Sequence, residues 1–99
     1  MAQFDVLELK SGAELVLDCQ SDLLARLTTR LVVTLIPREL APDPARRLNP
    51  VFTIAGREHV MVTQFAAAVS LGELGGFVLS LQDRSFEIVD ALDVLVSGV

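Results

Sequence analysis

Tryptophan and tyrosine are absent from this chain, and cysteine and histidine occur once each. A lone Cys19 cannot close an internal disulfide, so nothing asks for an oxidising compartment and the cytoplasm is the simpler home. His59 has no second histidine with which to share a metal ion. Basic residues are scarce: eight Lys and Arg against thirteen Asp and Glu leave a formal net charge of −5. Nucleic-acid binders carry a basic face that neutralises phosphates, so this balance argues against direct DNA or RNA binding. Long apolar runs are missing too. Leu31–Val33 and Phe65–Val69 are far too short to span a bilayer, and Met1–Asp5 has no basic cluster leading into an apolar run. Neither a membrane span nor a secretory signal is expected.

What is present in surplus is aliphatic side chain. Hydrophobic residues fill 52% of 99 positions, and the excess over one small core predicts burial at a subunit interface. The length predicts a single domain over residues 1–99. The chain reads as organised around Phe86–Val99, where Phe86, Val89, Leu92, Leu95, Val96 and Val99 recur at helical steps with Glu87, Asp90 and Asp93 between them. Ile88 and Val94 fall outside that stripe. A helix apolar on more than one side needs more than one cover, which predicts a homodimer whose interface includes Leu92, Leu95, Val96 and Val99. Asp90, Asp93 and a terminal carboxylate run against the preference of helix C-termini for cations.

Upstream, Gln3–Leu9 and Glu14–Gln20 predict two strands joined by a tight hairpin through Gly12, with Leu15, Leu17 and Cys19 on one face. Cys19 then reads as a buried core thiol. Ser21 is placed to cap a turn running through Leu23 and Leu27, and composition favours ordinary core packing for Leu23 and Leu24. Leu31–Ile36 is nearly continuous in β-branched and aliphatic residues and predicts the most buried strand. Pro37–Pro50 predicts a long loop, in which Arg46 and Arg47 are expected to be solvated. Val51–Ile54 and His59–Thr63 predict a second hairpin with His59 on its surface side. Gln64–Leu71 predicts a short helical turn, Gly72, Gly75 and Gly76 a turn or bulge, and Phe77–Leu81 a last strand. Ser80 or Asp83 is expected to cap the closing helix.

The segments Gln3-Phe4-x-Val6, Asp18-x-Gln20-Ser21-Asp22-Leu23-Leu24, Arg30–Val33, Leu48-Asn49-Pro50-Val51 and Gly98-Val99 together resemble the CcdB family of plasmid-encoded toxins, over nearly the whole chain. The resemblance implies a mainly β fold: an SH3-like antiparallel barrel with a small extra sheet and a C-terminal α-helix, paired into a homodimer. It further implies a toxin that is not an enzyme, needs no cofactor, and poisons DNA gyrase by binding its A subunit. A CcdA-like antitoxin with a segment that folds on binding would neutralise it. By the same resemblance the gyrase-binding residues are Leu23, Leu24, Asp93, Ser97, Gly98 and Val99. Ser97 stands where the family has tryptophan, and Asp93 where it has an amide. Two other readings remain. The same barrel occurs in the MazF and Kid endoribonucleases, for which His59 with Arg57, or Asp18 with Arg30, would have to supply acid, base and cation. A dimer that binds an antitoxin without poisoning gyrase is the other.

Overall fold

Aliphatic and β-branched residues dominate Thr29–Pro37, and in the computed structural model, which describes residues 1–12 and 14–98, this segment is the hub strand β3. Around it lie β1 (Asp5–Leu9), β2 (Leu15–Asp18), β4 (Val51–Ile54), β5 (Arg57–Met61), β6 (Ala67–Ser70) and β7 (Leu74–Ser80), followed by the helix α1 (Ser85–Ser97). One edge of β3 pairs with β2 throughout, from Leu15↔Leu35 to Asp18↔Val32. Its other edge is divided. The C-terminal half takes β5 through Leu35↔Met61 and Ile36↔Val60, while the N-terminal half takes β6 through Thr29↔Ser70 to Val32↔Ala67. The main path runs β4-β5-β3-β2-β1-β7, every pairing is antiparallel, and β6 forms a small leaf off β3. This is the expected mainly β, SH3-like barrel with a small extra sheet and a C-terminal helix.

Strand alternation sorts the side chains onto two faces. Val6, Leu17, Cys19, Val33, Leu35, Phe52, Ile54 and Met61 point inward and are closed over by Ile88 and Ala91 of α1. On the opposite face Leu7, Val16, Val32 and Leu74 form a smaller cluster where β7 curls over the sheet. Cys19 is buried as expected; burial first, and Asp18 beside it second, push its thiol up to about 12, so it is chemically inert at neutral pH. The register of β1 against β7 shifts twice, and a Cβ on Gly75 would meet the Glu8 carbonyl oxygen at 2.8 Å. The bulge anticipated from the glycines is therefore a close approach of two backbones.

Several expectations are corrected. Gln64–Leu71 is not a helical turn: a single 3-10 turn at Thr63–Phe65 leads into β6, because the otherwise open half of β3 offers its alanines a pairing edge that outweighs their helix propensity. β7 starts at Leu74, so Gly75 and Gly76 lie inside a strand rather than before one. His59 is no surface residue. It is 7% exposed, pairs with Pro37 and Phe52 on neighbouring strands, and holds Nδ1 3.0 Å from the Arg57 carbonyl oxygen. Neither expected cap forms: the Ser80 Oγ accepts from the Gln82 amide at 3.1 Å, but no side chain among the described residues caps the 3-10 turn at Gln82–Arg84 or α1. Pro37–Pro50 does lack long regular structure, holding one 3-10 turn at Arg38–Leu40, but it is tied down. Buried Asn49 donates to the Met61 carbonyl at 3.1 Å and to Gln64 Oε1 at 2.8 Å, and accepts from the Ala45 amide. Arg46 and Arg47 are exposed as expected, and Arg47 in addition donates to Asp90 of α1 at 2.7 and 3.0 Å on the surface.

Candidate functional site

The largest departure from the expected packing lies in α1. Its inward line is Ile88 and Ala91, with Leu92 half-buried at its edge; the stripe read from the sequence faces outward. Phe86 is 90% exposed and Val96 84%, with Val89 and Leu95 about half exposed. Three- and four-residue spacing is satisfied by both faces, and Ile88 wins the core because the Gln82–Arg84 turn sets the rotation at which the helix enters. Ser85, Phe86, Val89, Asp90 and Asp93 line a groove of about 310 Å³ along the outer side. Arg47 holds the Asp90 carboxyl below the usual carboxylate range through its hydrogen bonds first and its charge second.

At the C-terminal end of α1, Gly98 adopts φ 73° and donates its amide to the Val94 carbonyl at 2.8 Å, the left-handed closure that a glycine allows. Ser97 folds back on the helix, its Oγ donating to the Asp93 carbonyl at 2.7 Å. Val99, placed by the sequence in both the partner surface and the dimer interface, lies outside the described residues.

Leu23 and Leu24 are not core residues. They ride a 3-10 turn at Asp22–Leu24 that buries none of its own residues, with Leu23 95% and Leu24 51% exposed. Ser21 does cap it, accepting the Leu23 amide at 3.2 Å. Among the described residues, no hydrogen bond or buried cluster joins this turn to α1. Within one protomer the candidate site is thus two apolar surfaces, an outward helix face and an outward turn.

Of the groups an endoribonuclease would need, Asp18 and Arg30 do come together, with Arg30 Nε donating to Asp18 Oδ2 at 3.0 Å. Both are buried in the wall of the barrel, where no substrate reaches them. His59 and Arg57 line one groove of about 700 Å³ with Glu14, Thr34 and the apolar Leu15, Leu35, Ile36, Pro37, Leu40 and Phe65, so its walls are mostly apolar. The Arg57 guanidinium is taken by Glu39, whose carboxyl it holds below the ordinary range, chiefly by hydrogen bonding. Asp18, Gln20 and Asn49, which enter the sequence reading only through the family resemblance and the Asp18–Arg30 pair, organise the neighbouring loops by buried hydrogen bonds. Alternation offers no signal for Asp18, which falls with Val16 on the face opposite Leu17 and Cys19, where a polar side chain is ordinary.

No helix among the described residues is long and apolar enough to cross a membrane. A comparison with curated proteins finds none that matches. The family model described as CcdB protein matches residues 3–98, from just before β1 to the glycine that closes α1. With the hub strand, the leaf and the outward-facing helix in place, the chain belongs to the CcdB family of toxins from toxin–antitoxin pairs.

Proposed function

We propose that residues 1–99 form one toxin domain that works in the cytoplasm as a homodimer, binds the A subunit of DNA gyrase and is neutralised by a CcdA-like antitoxin. The observation that carries this reading is the outward stripe of α1, since nearly bare Phe86 and Val96 on a small protein are the mark of a surface meant for other protein. Leu92, Leu95, Val96 and Val99 are assigned to the dimer interface, which should bury on the order of 1,200 to 2,000 Å² in total. Leu23, Leu24, Asp93, Ser97, Gly98 and Val99 are assigned to gyrase. The function is ligand binding without chemistry of its own, which suits an acidic chain that makes no direct contact with nucleic acid.

The deciding experiment titrates purified, antitoxin-free protein into a gyrase supercoiling and cleavage-complex assay. Accumulation of cleaved DNA supports the reading; unchanged supercoiling with no cleaved DNA at saturating protein removes gyrase as the target. Total RNA incubated with the same preparation should stay intact, and cleavage lost on His59→Ala or Arg57→Ala would establish a nuclease instead. One observation favours a second reading, a dimer that binds antitoxin without poisoning gyrase: Ser97 turns its only polar group back onto the helix and offers a partner little surface.

A further inference from the structure

The turn that exposes Leu23 is held from beneath by polar side chains that the core does not need. Gln20 is buried and engaged at both ends. Its Oε1 accepts the Leu31 amide at 3.1 Å, its Nε2 donates to the Leu24 carbonyl at 3.0 Å, and its own amide donates to Asp18 Oδ1 at 3.1 Å. Asp18 in turn accepts from Arg30, a buried pair sealed between strands. From the side, the Gln3 amide donates to Asp22 Oδ1 at 2.8 Å and Gln3 Nε2 donates to the Cys19 carbonyl at 3.1 Å.

Burying three polar side chains is favourable only when all are satisfied, and here they are. A turn that served folding alone would drop one leucine into the barrel and dispense with the network. This one does the reverse, fixing its backbone through polar contacts and turning both leucines to solvent. Fixing a contact loop in its bound shape before encounter removes an ordering cost that would otherwise weaken binding.

We propose that Gln20 is a positioning residue: its buried carboxamide, clamped between the Leu31 amide and the Leu24 carbonyl, holds the Leu23–Leu24 turn in the pose a protein partner recognises. The identity of that partner as gyrase rests on the proposed function, whereas the clamp itself rests on the geometry.

The test uses the full chain with Gln20→Met, which keeps side-chain length and loses both polar contacts, and Gln20→Glu, which keeps an acceptor for Leu31 and loses the amide donor to Leu24. Leu23→Ala serves as the reference for lost contact. Backbone ¹⁵N heteronuclear NOEs of residues 22–26 should fall in the Gln20 variants while those of β3 and β5 stay at wild-type values. Cleavage-complex formation should weaken about tenfold, the size expected when one anchoring hydrogen bond is lost. Wild-type order at residues 22–26 in the folded variants would overturn the proposal. So would a loosened turn with undiminished potency where Leu23→Ala loses it, or failure of both variants to fold, which would make Gln20 part of the fold rather than of the turn. Should Leu23→Ala leave gyrase poisoning untouched, the gyrase contact falls, while the NOEs still decide the clamp.

Discussion

The two sides of α1 are alike in composition and opposite in use. Inward, Ile88 and Ala91 are sealed against Phe52, Ile54 and Met61; outward, Phe86, Val89 and Val96 stand in solvent with Asp93 among them. Hydrophobicity alone therefore does not say what a helix face is for. The inward side has its cover within the chain and contributes to stability, whereas the outward side has no cover among the described residues and is the side we assign to a second protein. Mutations should separate the two cleanly.

The largest effect expected is on the inward side. Ile88→Ala leaves a cavity beneath the helix and should cost about 2–5 kcal/mol in urea unfolding, while Phe86→Ala should stay within about 0.5 kcal/mol of wild type. Equal losses at the two positions would break the comparison.

Next comes Ser97→Trp. An aromatic anchor over a partner's cation contributes about 0.5–2 kcal/mol by cation–π attraction alone, and truncating a buried Trp costs 2 kcal/mol or more, so this substitution should tighten binding to a gyrase shaped for tryptophan by roughly tenfold to several hundredfold. The cleavage-complex titration reads it directly. Strong poisoning by the natural protein with no gain from Ser97→Trp would show that this position does not set potency.

A smaller shift is expected from Leu95→Ser with Val96→Ser. The pair should raise the dimer dissociation constant by about tenfold or more, followed by sedimentation equilibrium at micromolar concentration. A wild-type protein that is monomeric throughout would remove the dimer assignment.

Smallest of all is the effect of Asp90, which sits at the border of the two sides and is tied to Arg47 on the surface. Because its folded pKa is depressed, the pair's contribution is present above the ordinary aspartate value of 3.8 and is lost as pH falls through the lowered value. The difference in thermal midpoint between wild type and Asp90→Asn should therefore be slight at pH 7 and vanish in strong acid. A difference that persists there would mean that Asp90 acts by something other than its charge.

Much of the barrel was legible because alternation and turn residues are local signals. The β1–β2 hairpin, the β4–β5 hairpin and β3 could be read from Leu15, Leu17 and Cys19, from Val51–Ile54 with His59–Thr63, and from Leu31–Ile36. β6 could not, since Ala66-Ala67-Ala68 favours helix in isolation and becomes strand only because β3 has a free half-edge 35 or more residues away in sequence, at Thr29↔Ser70 to Val32↔Ala67. The helix itself was readable from its spacing, but its rotation was not, because a sequence with two apolar stripes leaves the choice to the turn that precedes it. The exposure of Leu23 and Leu24 is not legible for a related reason: the polar side chains beneath their turn, Gln20 and Asp18, bond to Leu31 and Arg30 on another strand. The site assignments owe more to resemblance than to pattern.

The pairing of β1 with β7 has a consequence in time. The first strand finds its outer neighbour only when Leu74–Ser80 has been made, and the Leu81 amide must reach the Phe4 carbonyl to close that seam. Contacts this distant along the chain make folding slow relative to helical proteins of the same size. During synthesis on the ribosome, that seam and the helix that follows it can form only after Leu81 has been added, so the barrel closes late.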